Sequence, residues 1–185
     1  MNRMMGVGLF LTSSITFFRR FSNSPLTLAA VTVISKDEIR AHGWRTLAEI
    51  LNGIKGLHVS NDRSYSYLGV RGFGIPGDYN TRFLLLVDGY RVNDAIYEQA
   101  YLGNEFLLDM SVIDRVEFVP GAGSSVYGSN AVLGVINVIT RSAGDLADAR
   151  VGAELDDAGS KLLRASWGKT LEGGGELLLA ASSLR

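Results

Sequence analysis

The apolar residues of this 185-residue chain fall into short runs separated by glycine-rich polar stretches, and the spacing inside each run predicts its element. Val31-Thr-Val-Ile34 is a β-branched run that reads as a strand ending at Ser35. Ser35-Lys-Asp-Glu38 has the form of a capping box, which predicts a short helix to about His42, stopped by Gly43. Thr46-Leu-Ala-Glu49 repeats that form and predicts a helix through Asn52, with Leu47, Ile50 and Leu51 on one buried face. Gly53 and Gly56 end it, and Leu57-His-Val59 reads as a strand. Two amphipathic helices on a small sheet explain all of these residues without a functional site.

The next patterns are tighter. Phe83 to Val87 is a continuous apolar run, as in a strand buried on both faces, and Asp88-Gly89 predicts a two-residue hairpin turn with a short return strand to Asn93. Leu68-Gly-Val-Arg-Gly-Phe-Gly74 precedes it, and Asn93 to Met110 is irregular, with Asp94, Tyr97, Glu98, Tyr101 and Glu105 among apolar residues. Arg115 to Val119 and Val135 to Thr140 are β-rich runs flanking a loop that carries Gly121, Gly123, Gly128 and Gly134. After Thr140 the pattern changes to strict alternation: Val151, Ala153 and Leu155 against Gly152, Glu154 and Asp156, then Leu163, Ala165 and Trp167, then 176 to 184. These segments approach the 9 to 11 residues expected of a strand that crosses a bilayer, roughly, in a barrel wall.

Composition narrows the chemistry. An apolar content of 46% with 20% charge excludes a disordered polymer, and a net charge of −1 gives no reason to expect a nucleic-acid partner. Without cysteine there are no disulfides or thiolate metal sites, and the histidines are only His42 and His58. Gly121-Ala-Gly123 after a strand raises a dinucleotide site, but the third glycine of that fingerprint falls on Val126 and no acidic residue closes a βαβ unit. Ser124 and Ser125 beside Gly123 lack the flanking glycine spacing of a nucleophile elbow. Neither an enzyme nor a cofactor is expected. At the N-terminus, Arg3 and the apolar stretch from Met4 fit a secretory leader, whereas Arg19, Arg20 and the weak cleavage site at Ala29-Ala30 do not. Residues 1–24 are either a degenerate signal or a mis-assigned start.

Several of these motifs, in this order, resemble those of the plug domain of TonB-dependent outer-membrane receptors. The resemblance runs from about residue 25 to 141 and rests on Arg71-Gly-Phe73, Asp88-Gly89, and Arg115, Glu117, Gly121, Ser124, Tyr127, Gly128, Ala131, Gly134, Val135, Ile136, Asn137 and Thr140. Pro120 stands where the family usually has arginine, and Ala122 where it usually has proline. The fold implied is α+β: a small mixed β-sheet plug with short helices (25–141), followed by antiparallel strands of an incomplete transmembrane β-barrel (142–185). A family barrel has about 22 strands. The expectation is therefore a plug with the first wall strands, from a fragment or truncated frame.

The resemblance implies a receptor in the outer membrane of a Gram-negative cell that imports a large scarce solute such as a ferric siderophore, haem or cobalamin. Its implied partners are the barrel domain of the full-length receptor, outer-membrane lipid, the solute, and TonB, although no TonB-contacting box is recognisable here. Arg71, with Arg115 and Glu117, is the implied plug-to-barrel contact, half of whose usual arginine pair is missing at Pro120. Read alone, Arg71 is equally a solvated or locally paired side chain. Asp78, Tyr79, Asn80, Tyr97 and Tyr101 are the ligand-contact candidates, against a plain reading as loop packing. A soluble periplasmic interaction or secretion module with a plug-like sheet is the alternative.

Overall fold

The computed structural model describes residues 5–12, 31–146, 150–155, 161–172 and 175–184. They divide into two compact units, one of residues 31–106 with 114–139, the other of 5–12 with 107–113 and the described residues from 140 onward. Met5–Thr12 forms the first strand, β1.

The unit built on residues 31–106 is a mixed sheet with short helices. Strand β2 (Thr32–Ser35) leads into helix α1 (Lys36–His42), then helix α2 (Leu47–Asn52) and the hairpin of β3 (Leu57–Asn61) and β4 (Ser66–Val70). Strands β5 (Phe83–Val87), β6 (Tyr90–Arg91), β7 (Ile113–Pro120) and β8 (Gly134–Thr140) complete it, with a one-turn helix α3 (Ser124–Tyr127) in the glycine-rich loop. The order β2-β7-β8-β5-β6 makes a five-stranded sheet. Strand β5 runs parallel to β8 from Phe83 opposite Gly134 to Val87 opposite Val138, while β2 is antiparallel to β7. Every residue of β5 is buried, as its unbroken apolar run predicts. Leu84 and Leu86 pack with Ala131 and Val135 beneath the glycine-rich loop, and Leu47, Ile50 and Leu51 of α2 are fully buried.

Local signals act largely as expected. Ser35 Oγ accepts from the Glu38 amide and the Glu38 carboxylate accepts from the Ser35 amide, a reciprocal box, and Gly43 ends α1 in the left-handed region at φ 67. The second box is only half formed. Thr46 Oγ1 accepts from the Glu49 amide at 3.2 Å, but Glu49 turns to the Arg45 amide at 2.6 Å, one residue earlier than expected. Asp88 and Gly89 both take positive φ, 50 and 84, the geometry that matches a two-residue hairpin to the twist of its strands.

In the other unit β9 (Arg150–Leu155), β10 (Lys161–Thr170) and β11 (Glu176–Leu184) stand in the predicted places and form an antiparallel sheet of order β1-β11-β10-β9. Strand β1 pairs along its whole length with β11. The basic flanks and the Ala29-Ala30 site of the leader reading lie outside the described residues. In β9 and β10 the apolar row points away from the unit: Val151 is 83% and Leu163 57% exposed, with Ala153 and Ala165 exposed beside them. The other row is covered on β10 and β11, with Ser166, Gly168 and Leu178 buried, whereas Arg150 and Gly152 of β9 are exposed. No helix among the described residues is long and apolar enough to cross a membrane, which leaves strands unaddressed.

Gly74 approaches Gly69 so closely that a Cβ on it would lie 2.8 Å from the Gly69 Cα, a backbone atom with little room to yield. Gly74→Ala is expected to lower stability by about 1–3 kcal/mol. Gly144→Ala, whose Cβ would meet only the Ser142 hydroxyl at 3.6 Å, serves as control. Urea midpoints followed by tryptophan fluorescence compare the two, and equal midpoints would contradict the close approach.

Candidate functional site

The tip of the β3–β4 hairpin carries a group of aromatic and acidic side chains capable of holding a ligand. Its turn is built by Asp62, whose carboxylate accepts from the Ser64 amide at 2.9 Å, the Tyr65 amide at 2.7 Å and the Tyr67 hydroxyl at 2.7 Å. That fixes Tyr65 and Tyr67, two residues apart, on one side of the hairpin. Tyr79 reaches the same side from the following loop, its ring edge-on to Tyr65 at 5.3 Å and tilted against Tyr67 at 6.1 Å. Tyr101 comes close enough to Tyr65, Asp94 and Glu105 to feel their charges. Two loops thus bring Tyr65, Tyr67 and Tyr79 together beside Asp62.

Electrostatics follow from that packing. The Asp62 carboxyl is held below the usual carboxylate range, chiefly by the Tyr65 amide, then by the Tyr67 hydroxyl and the Ser64 amide. The Tyr67 phenol is pushed up to about 12, first by the hydrogen bond it donates to Asp62 and then by burial. Burial also raises Tyr101, with smaller contributions from Asp94, Tyr65 and Glu105. Phenols and carboxylates of this kind can stack on and hydrogen-bond a large solute.

The candidates named from sequence are distributed unevenly. Tyr79 belongs to the group, Tyr101 lies within electrostatic reach of Tyr65, and Asp78 is next to Tyr79 in the chain, accepting from the Asn80 amide and pairing with Arg82 at 3.6 Å. Asn80 is buried and serves the fold instead. Its side chain accepts from the Leu68 amide at 2.7 Å and donates to Ser66 O and Ala100 O at 2.8 and 3.0 Å, so it is committed to backbone. Tyr97 is 73% exposed on the 93–110 loop, outside the ring contacts just described. Tyr65 and Tyr67 were missed. Their one sequence signal is the i, i+2 spacing of two tyrosines, one just before β4 and one within it, and only the return of the 72–82 loop makes it a cluster.

The opposite side of the same hairpin borders a polar cleft of about 300 Å³, whose lining includes Thr46, Glu49, Asn52, Asn61, Ser66 and Glu105. Its groups are largely occupied locally: Asn52 accepts from the Val59 amide, Asn61 donates to Ser66, and Glu105 accepts from the Gly103 amide.

The basic and acidic residues implied as wall contacts also separate. Arg71 sits in the left-handed region at φ 49 with an exposed side chain that makes no hydrogen bond or ion pair among the described residues. Arg115 instead lies along its own strand, donating from Nε to Glu117 at 2.8 Å and pairing with Asp114 at 3.3 Å. Glu117 is buried, and Asn137 of the neighbouring strand donates to its second oxygen at 3.2 Å. His42 stacks on Trp44 at 4.3 Å, and no group of three His, Cys, Asp or Glu able to hold a metal ion occurs among the described residues.

Residues 26–135 match the family model described as the TonB-dependent Receptor Plug Domain. The vitamin B12 transporter BtuB of Vibrio vulnificus is 33% identical over 156 residues, covering 83% of this chain and 24% of that protein. The iron-regulated outer membrane virulence protein of Vibrio cholerae is 31% identical over 117 residues, covering 61% of this chain and 17% of the relative. This chain therefore spans about a quarter or less of the length of the curated relatives it matches. Among solved structures, the ferric yersiniabactin uptake receptor FyuA of Yersinia pestis superposes with a TM-score of 0.62 at 21% identity, covering 80% of this chain and 22% of that one. FpvA of Pseudomonas aeruginosa gives 0.64 at 20% identity, covering 85% and 20%. At such identities the structural likeness speaks for the fold.

The Asp62–Tyr67 bond sets two pH limits. A lowered carboxyl contributes stability above its ordinary range and loses it as pH falls through the lowered value; a raised phenol contributes below the free tyrosine value and loses it as pH rises through about 12. In an alkaline absorbance titration Tyr67 should ionise with a midpoint of about 12, and Asp62→Asn should bring that late component down. A titration unchanged by Asp62→Asn would refute the bond.

Proposed function

Because the chain belongs to the TonB-dependent receptor plug family, we propose that it forms the plug and first wall strands of an outer-membrane receptor that imports a large scarce solute, such as a ferric siderophore, haem or cobalamin. The observation that carries the reading is the polarity of β10. Leu163 and Ala165 point out of the unit while Ser166 and Gly168 are covered, an arrangement that suits lipid outside and a filled lumen inside. A soluble periplasmic module would carry its polar row on the exposed face. The same polarity disfavours that alternative.

In this reading the solute arrives from outside and rests on Tyr65, Tyr67, Tyr79 and Tyr101, with Asp78 and Tyr97 at the margin. The remaining barrel supplies the rest of the binding surface, and Arg71 meets carboxylates of the wall. TonB supplies the work that rearranges the plug, and no bond of the solute breaks, so the protein is a carrier and not an enzyme. The names of the relatives, one a vitamin B12 transporter and one iron-regulated, support the solute classes to be tried first.

The test expresses the full-length receptor containing this chain in a Gram-negative host stripped of its own receptors for these solutes. Uptake of labelled cobalamin or of a ferric siderophore should appear and should vanish in a host lacking TonB. Uptake that persists without TonB, or none for any solute of these classes, would count against the proposal. Leu163→Arg places a charge on the outward row and should cost about 2–4 kcal/mol near the bilayer midplane but little in a soluble sheet. The yield of folded receptor in the outer membrane reads the difference.

A further inference from the structure

Strand β10 carries one arginine on its covered face, and the place of its partner is unexpected. Arg164 donates from Nε to Asp109 Oδ2 at 3.1 Å, with the two side chains only 18% and 11% exposed. Cross-strand neighbours Gly152 and Ser182 leave room for the long side chain on either side. The other oxygen of Asp109 accepts from the Ser111 amide at 2.9 Å and so caps the 3-10 turn Met110–Val112. One carboxylate therefore shapes the chain just before β7 and fastens it to β10.

A second fastening lies after β8. Glu176, at the start of β11, accepts from the Ser142 hydroxyl at 2.9 Å and the Ala143 amide at 3.2 Å. Ala143 lies directly against β10, where a Cβ on Gly168 would come within 2.6 Å of the Ala143 carbonyl oxygen, so only glycine admits the approach. The two fastened stretches are joined to each other, the Arg141 amide donating to Val112 O at 2.8 Å. Met110, Val112 and Ala143 are buried in consequence.

We propose that Asp109 and Arg164, backed by Glu176, are positioning residues that clamp residues 107–113 and 140–146 to the first wall strands, with the acid on the plug side and the arginine on the wall. This rests on the reading of β9–β11 as wall strands. Its polarity is the reverse of the arginine-on-plug contact implied for Arg71, and it lies in a chain that has Pro120 where the second such arginine is usual. A nearly buried pair is the type whose loss is felt, because removing one member takes a close counter-charge from the other in a poorly hydrated site.

The test uses the full-length receptor in outer-membrane vesicles, with maleimide labelling in urea as readout, so that no solute is needed. Val112→Cys reports on the clamp and Val116→Cys on the sheet; both valines are fully buried. Asp109→Asn, which keeps the cap, and Arg164→Gln should each speed labelling at 112 by roughly a hundredfold while leaving 116 nearly unchanged. The double variant should be no faster than either single one. Additive effects, equal acceleration at both reporters, or none would overturn the proposal. Should Asp109→Asn fail to insert, Glu176→Gln is read with the same reporters and the same outcomes. A receptor that shows this coupling but imports no solute would leave the clamp standing and remove only the transport reading.

Discussion

Buried backbone groups that no strand or helix satisfies are the constraint on which the mixed-sheet unit depends. Between β6 and the Met110–Val112 turn the chain runs through residues 92–109 without a regular element, yet Gln99, Ala100 and Leu102 are buried there. Buried amide and carbonyl groups need partners, and asparagine side chains supply many of them. Asn93 accepts from the Leu85 amide and donates to Phe83 O and Glu98 O. Asn130 donates to Thr81 O and Glu98 O, and Asn80 ties Ser66, Leu68 and Ala100 together. Each makes the bonds a neighbouring strand would otherwise make. Irregular loops can then be held as firmly as the sheet beneath them.

Asn137 extends this principle into the sheet. It is fully buried on β8, accepts from the Gly89 amide of the hairpin turn and donates to Glu117 on β7. Arg115 closes the line by pairing with Glu117 and Asp114, and Asp114 meets Lys36 at the start of α1. The outer members are partly exposed and contribute little by themselves, about 0–1 kcal/mol each. The buried Glu117 is different, since removing either inner partner would leave an under-satisfied carboxylate in the core. A polar line across an apolar sheet fixes which strands sit side by side.

Features set by local spacing were legible in the chain: the Ser35–Glu38 box, the Asp88-Gly89 turn, the buried run of β5 and the alternation after residue 150. Each depends on residues within a few positions of one another. What escaped depends on distant partners. Thr46 and Glu49 have the same spacing as Ser35 and Glu38, yet Glu49 finds the Arg45 amide nearer to hand. Asn80 looked like a loop-tip polar residue because nothing nearby in sequence shows that Ser66 and Ala100 will surround it. Likewise Tyr65 and Tyr67 become a cluster only when Tyr79 arrives, and Asp109 gives no hint of Arg164, 55 residues on.

The pairing of β2 with β7 joins Ser35 to Arg115, and that of β5 with β8 joins Phe83 to Gly134. Strand β5 turns directly into its neighbour β6, but β2 must wait for β7 and β5 for β8, and closing such long loops slows folding. A polypeptide emerging from its N-terminal end therefore leaves this sheet incomplete until β8, Gly134–Thr140, has been made. The last of these strands to be made, β8, is the one that joins the β2–β7 pair to the β5–β6 hairpin, so the sheet is completed from its centre and not from an edge.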